Sequence, residues 1–389
     1  MKNKHKITLI VHDLSSNPIV RAYPLALALQ RIGYEVEIVG FLINSDQVYM
    51  PYSDKFNFKT VYIGNGGMFQ LMKGLPKLLD LITGDIIYVF KPLTTTLLVG
   101  LIKSRLGFKK QLIMDAEDDE LAFRYRNFTA SFYNMVLRGW NYPNSYFKLL
   151  TLHLLLFPAK VRTVVSSKLQ RRYGGTIILH GPDEITFNPE LFDKESARQE
   201  FGLPLDKTLI LFAGIPHEHK GVGIIRDAIL AVNDERYIFV GAGPSDHEEF
   251  VELKKKLGNR CILLGTVGNE KMPLLLSAVD IVPTIQKRTK FTESQMPAKL
   301  FEAMAMGKII IATDTSDIGL VLGKNEKLKR GYLIDFDNKT QFIDVLKQIS
   351  DNPEDANMRS KEARGYFLKE ASVDANMKKL SKVICLKSK

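Results

Sequence analysis

The sequence predicts an α/β protein made of two Rossmann-like, doubly wound domains. Three observations carry that reading. The chain has 389 residues, more than one ordinary core requires and suited to two domains of roughly 150–200 residues. Short apolar runs of strand length alternate with helical patterns, which is the order of a parallel sheet covered on both faces. The alternation then restarts past a stretch of turn chemistry, His180-Gly-Pro-Asp-Glu184 through Asn188-Pro189. The domains are expected at 1–185 and 186–370, with a C-terminal helix at 371–389 packing back on the first.

The elements follow in order. Ile7–Val11 reads as a buried first strand. Behind the basic Met1–Lys6 it imitates a secretory signal, but five residues fall short of the about 7–15 such a segment needs. A cytoplasmic protein is therefore expected. Val20–Ile32 is helical, with Leu25, Leu29 and Ile32 on one face, and Gly33 leads into the strand Glu35–Val39. Ile86–Phe90, Leu112–Met114, Arg162–Val165 and Thr176–Leu179 continue the strands. In the second half Thr208–Ala213 is a strand ending in Gly214, and Ile224–Val232 a helix. Tyr237–Val240 runs into Gly241-Ala-Gly243. Cys261–Leu264, Asp280–Val282 and Ile309–Ala312 complete the pattern.

Composition excludes several classes. Hydrophobic residues make 45% and charged residues 25% of the chain, the balance of a globular protein. Two cysteines and seven histidines, without C-x-x-C or H-x-x-x-H, give no disulfide framework and no structural metal site. The longest apolar run, Leu149–Phe157, is interrupted by Thr151 and His153 and is far below the about 20 residues of a spanning helix. The net charge of +11 is placed unevenly: residues 1–180 hold 23 Lys+Arg against 12 Asp+Glu, and the remainder balances. A basic half can face anionic lipid or a phosphate-bearing substrate. Phe123–Leu156 sets aromatic residues beside Arg124, Arg126 and Arg138. It reads either as an amphipathic face that touches lipid or as two helices packed on the sheet, their basic residues pointing to water. No nucleic-acid motif is present.

In open parallel sheets ligands lie beyond the carboxyl ends of the strands, so the loops there hold the candidate residues. Gly241-Ala-Gly243 is a weak signal, because tight turns use glycine for backbone reasons alone. Gly214-Ile-Pro-His-Glu-His-Lys220-Gly221 is stronger: a lysine and a helix N-terminus together suit a phosphate. Thr292–Asp314 is the strongest. Pro297 suits a first helical turn, Gly307 ends the helix, and Glu302 lies amid Leu300, Phe301, Ala303 and Met304. A carboxylate there needs a partner, which the paired hydroxyls of a ribose would supply.

These motifs, in this order, resemble the retaining glycosyltransferases of family 4, with the two-domain GT-B fold facing a central cleft. The similarity is firmest from His180 to Asp314 and includes Phe239–Pro244, Leu264–Val267 and Lys299–Gly307. The resemblance implies a nucleotide-diphosphate sugar as donor, no cofactor and no metal. It implies that Lys220 holds the diphosphate and Glu302 the ribose, with Gly265, Thr266 and Val267 meeting the base. Glu293, Ser294, Gln295, Met296, Pro297, Ala298 and Lys299 would cradle the diphosphate and sugar, beside Gly214, His219 and Gly243. Ser15, Ser16 and Asn17, in the loop from Asp13, would close over the phosphates.

Two positions depart from the family pattern. Ile215 stands where an arginine is usual, leaving His217, His219 and Arg288 as candidates for the second phosphate contact. The second of two glutamates eight apart is displaced: Ser294 precedes Glu302 by eight and Glu293 by nine. The acidic run Asp115–Glu120 takes the place of a histidine common in the family. Its five carboxylates repel one another, so Asp115 is a catalytic candidate; the alternative is an ordinary solvated helix start. The expected function is sugar transfer to a saccharide or lipid-linked acceptor in cell-envelope synthesis, at the inner face of the membrane. The alternatives are a nucleotide-sugar epimerase of the same fold and a non-catalytic nucleotide-sugar-binding protein.

Overall fold

The structure is a computed structural model. It describes residues 5–53, 55–105, 110–124, 141–155, 159–338 and 340–385. Two compact units are formed, Met1–Leu179 with Val373–Lys389, and His180–Ser372.

The first unit holds a seven-stranded parallel sheet in the order β3-β2-β1-β4-β5-β6-β7. Its strands are β1 (Lys6–Val11), β2 (Glu35–Leu42), β3 (Phe58–Tyr62), β4 (Ile86–Phe90), β5 (Gln111–Ala116), β6 (Val161–Val164) and β7 (Thr176–Ile177). The second unit holds six parallel strands in the order β10-β9-β8-β11-β12-β13. These are β8 (Thr208–Ala213), β9 (Tyr237–Ala242), β10 (Cys261–Leu263), β11 (Ile281–Thr284), β12 (Ile309–Thr313) and β13 (Tyr332–Ile334). Each sheet starts in its middle, builds one way for three strands and then reverses. The reversal lies between β1 and β4, and again between β8 and β11, and at such a switch point the flanking loops part to leave a crevice.

Burial explains which strands were legible. Ile7, Leu9 and Val11 of β1, with Tyr88 and Phe90 of β4, are buried in one core, and strands covered on both faces become near-continuous apolar runs. The edge strand β3 carries no such run, and β13, Tyr332-Leu-Ile334, is too short to stand out in the sequence. The polar exception in β1, Thr8, is fully buried. Its hydroxyl donates to Glu37, which also accepts from Lys59 (2.6 Å) and the Thr83 amide (2.8 Å). Burial works against the Glu37 charge, but these bonds hold its pKa down at about 2. One carboxylate thus ties β1, β2, β3 and the turn before β4 at the amino ends of the strands.

The helix Ile19–Ile32 covers this sheet and ends at Gly33, whose φ of +108° suits a residue without Cβ. The last helix, Val373–Cys385, packs along it and sends Val373, Leu380, Val383 and Ile384 into the first unit's core. No described helix is long and apolar enough to cross a membrane.

Candidate functional site

The switch point of the second sheet gathers most of the residues the sequence singled out. β8 ends at Ala213, and Gly214 turns the chain with φ +118°. The loop returns at Gly221, which starts the helix Val222–Val232 at φ +67°. A Cβ on Gly221 would stand 2.3 Å from Cγ2 of Ile285, the residue after β11. The Lys-Gly pair therefore has a packing cause: only glycine lets the two loops close, and the closure places Lys220. The Lys220 ammonium donates to the Ile215 carbonyl at 2.9 Å, and burial lowers its pKa. The His217 and His219 rings stack at 5.5 Å, and His247 meets His217 edge-on at 5.6 Å. Burial and neighbouring Lys220 lower the pKa of both loop histidines.

From β11 the chain runs through Ile285–Pro297 into the helix Ala298–Ala305. Pro297 occupies the position just before the helix, with ψ of 130°, one place earlier than expected. Glu302 is half-buried on that helix, and its carboxylate makes no hydrogen bond or ion pair with another described residue. Burial pushes its pKa up to about 7, although Lys299 opposes the shift. Lys299 lies one turn earlier, its ammonium 4.5 Å from the Phe212 ring centre. Burial, then Lys220, push its pKa down to about 7. A lysine depressed by burial and by its neighbour Lys220 thus lies beside a carboxyl held near neutrality.

The displaced glutamate resolves by exposure. Ser294 is fully buried and its hydroxyl donates to the Phe291 carbonyl at 2.7 Å. Glu293 stays at the surface, 3.8 Å from Arg288. Arg288 also donates to the Asp314 carbonyl. Met296 is buried in the core, so of its groups only the backbone can line a site. Gln295 accepts from Gln286 at 2.9 Å, and the Gln286 amide donates to Thr313 at 2.8 Å. The sequence analysis missed Gln286, since a lone glutamine after a strand carries no signal.

Gly243 serves packing. A Cβ there would meet the Gly214 carbonyl at 2.3 Å, and its own N–H donates to Gly265. Gly265, at φ +74°, Thr266 and Val267 follow β10, with Thr266 exposed.

In the first unit several expectations change. Asp115 is fully buried in β5. Arg21, itself 2% exposed, donates to both its oxygens at 2.9 and 3.1 Å, and Thr163 donates as well. A carboxylate so enclosed cannot meet substrate; Asp115 is a structural ion pair. The rest of the acidic run is paired too. Lys91 reaches Asp118 at 2.6 Å, Glu117 at 3.1 Å and Glu120 at 3.3 Å, and Arg172 binds Asp119. Burial pushes Glu117 up to about 7. Ser15 and Ser16 each donate to Asp13 at 2.6 Å, so their hydroxyls fold the loop on itself; Asn17 stays exposed. Arg124 donates to the Tyr142 hydroxyl at 2.8 Å. Arg126 and Arg138 lie outside the described residues.

Two residues at the first sheet's switch point escaped the sequence analysis. Lys91, after β4, sits at φ +66°, rare for a side-chain-bearing residue. His12, after β1, bonds through Nδ1 to the Thr95 hydroxyl at 2.6 Å.

Residues 207–352 match the family model of glycosyl transferases group 1. TuaC of Bacillus subtilis (strain 168), named as a teichuronic acid biosynthesis glycosyltransferase, is 28% identical over 180 residues. That match takes in 44% of this chain and 42% of TuaC, under half of either. Over the whole chain the fold is similar to a glycosyltransferase from Rickettsia africae, at TM-score 0.73 and 15% identity, covering 100% of both chains. It is similar also to Anabaena Alr3699/HepE, solved with UDP-glucose, at TM-score 0.72 and 16% identity, covering 98% of this chain and 100% of that one. The two parallel-sheet units thus have the GT-B fold.

Proposed function

We propose that the chain is a retaining, metal-independent glycosyltransferase that moves a sugar from a nucleotide-diphosphate sugar to a saccharide or lipid-linked acceptor. The observation that carries the reading is the grouping of Lys220, Lys299 and Glu302, whose carboxylate has no hydrogen-bond partner among the described residues, at the β8–β11 switch point. The group 1 match covers these three residues.

Each side chain has a distinct task in this reading. A bound diphosphate draws the Lys220 ammonium from the Ile215 carbonyl and restores the charge of Lys299 against desolvation. Ribose hydroxyls donate to Glu302 and stabilise its ionised form, which burial alone disfavours. As the bond from sugar to phosphate breaks, negative charge gathers on the leaving diphosphate. Fixed cations and helix N–H groups stabilise that charge without reorganising. The acceptor then attacks on the face from which the diphosphate departs. Arg288 is held by Asp314 and Glu293, which leaves His217 and His219 as the better candidates for the second phosphate contact.

The Anabaena structure holds UDP-glucose, so uridine diphosphate sugars head the donors to test. The TuaC likeness supports a cell-envelope polysaccharide acceptor, with the enzyme in the cytoplasm and its basic first unit against the membrane. The test is a thermal-shift screen of nucleoside diphosphates and their sugars, followed by transfer assays with the donor found. A ligand at 100 times its Kd stabilises by roughly 2.7 kcal/mol. Stabilisation by one nucleotide class and product formation with an envelope glycan support the reading. Turnover without an acceptor would instead identify an epimerase, and binding without turnover a non-catalytic protein.

A further inference from the structure

The first sheet has its own switch point, and its charges do not suit the anionic ligand that the unit's net charge suggests. At the carboxyl ends of β1, β4 and β5 stand Asp13, Glu117, Asp118 and Glu120. Lys91 is taken up by three of those carboxylates, Arg124 lies 3.6 Å from Glu120, and Asp13 is filled by Ser15, Ser16 and the Ile43 amide. Neither Lys91 nor Arg124 is left over to receive a phosphate.

His12 is the group left with a free position. Its Nδ1 pairs with the hydroxyl of Thr95, which is 1% exposed and has no other partner among the described residues. If Nδ1 carried the proton, the Thr95 hydroxyl hydrogen would be buried without an acceptor, which costs more than the bond gains. The hydroxyl therefore donates to Nδ1, and the ring's hydrogen resides on Nε2. Burial is the main cause that keeps this imidazole neutral, with Lys91 and Arg124 adding to it against Asp13; its pKa is about 4. The ring is half-buried, and Nε2 has no partner among the described residues.

We propose that His12 is a substrate-positioning residue, and that the ligand portion it receives is an uncharged, hydroxyl-bearing sugar ring. A neutral N–H donor beside carboxylates matches a hydroxyl, which both accepts and donates. A phosphate there would find Lys91 and Arg124 already committed to carboxylates. The proposal deepens the transfer reading by naming the acceptor chemistry at the first unit, and it rests on that reading only for the word acceptor.

The test is long-range ¹H–¹⁵N NMR of the full chain, with the His12 ring assigned by His12→Gln. The free protein should show an Nε2–H tautomer that does not protonate down to about pH 5. Methyl glucoside, galactoside and N-acetylglucosaminide, and the 6-phosphates of the same sugars, are then titrated. At least one neutral glycoside should shift the His12 signal, and its phosphate should bind more weakly. His12→Ala should weaken that glycoside about tenfold, the order of one neutral hydrogen bond. His12→Gln, whose amide can supply an N–H, should recover part of the loss. An Nδ1–H tautomer, a shift with phosphates alone, or no shift with any glycoside overturns the proposal. Nucleoside diphosphate binding, measured on the same samples, should be unchanged by either variant. Its absence in the wild type would sink the transferase reading and leave a glycoside shift standing.

Discussion

Glu302 shows how a functional residue can oppose stability. Its ordinary carboxyl pKa is about 4.5 and its folded value about 7. Between these values the folded chain holds a proton that the unfolded chain has released, so folding is weakened as pH rises through that window. Glu302→Gln removes the burden. The ligand-free variant should match the wild type near pH 4 and exceed it at pH 8, by roughly 1–2 kcal/mol in urea melts. It should also bind the donor nucleotide less tightly, and unchanged affinity would remove the ribose role. Lys220 acts on the other term. A contact that strengthens as the diphosphate leaves affects rate more than binding, so Lys220→Ala should lower kcat about a hundredfold with a smaller change in KM. Chelator should leave the wild-type rate intact. The opposite pair of results, a normal Lys220→Ala enzyme and a chelator-sensitive rate, would assign the charge stabilisation to a bound metal.

Among the elements, the β8–helix connection is the most constrained. Gly221 combines a left-handed φ with a Cβ position already occupied by Ile285. Gly221→Ala should therefore cost about 2–4 kcal/mol, because conformational strain and overpacking add. It should also weaken nucleotide binding by moving Lys220, as calorimetry on the folded fraction would show. The acidic run illustrates the opposite lesson. Five carboxylates in six residues look like one patch on paper. Strand β5 ends inside the run, so Asp115 faces Arg21 in the core while Glu117, Asp118 and Glu120 gather on Lys91.

At the scale of the molecule, the first core is completed by the end of the chain. Val373, Leu380, Val383 and Ile384 lie in it, and Arg31 bonds Asp374 at 2.7 Å. Removing residues 373–389 should uncover the helix Ile19–Ile32 and lower the melting transition of the first unit. The second, whose core involves none of these residues, should melt as before. Two calorimetric transitions that fall together would show instead that the units unfold as one. The +11 charge predicts binding to anionic vesicles that weakens as salt rises. Equal binding to neutral vesicles would remove the membrane reading.

The sequence by itself determined the α/β alternation, the restart and most strands, because strands buried on both faces must be apolar throughout. It also drew attention to Lys220 and Glu302, since a Lys-Gly turn and a carboxylate amid apolar neighbours are local anomalies. Only the tertiary structure decided the edge strands β3, whose residues are mostly half-buried and carry no clear period, and β13, which is only three residues long. It alone showed that Gly243 packs against Gly214, that Ser294 is sealed and that Asp115 is an internal ion pair. The reason is clearest for Gly243 and Asp115. Composition and spacing report a residue's chemistry, but access to a ligand depends on partners far along the chain. Arg21 is 94 positions from Asp115, and Thr95 is 83 from His12. Such pairings exist only once the sheet has brought the carboxyl ends of its strands together.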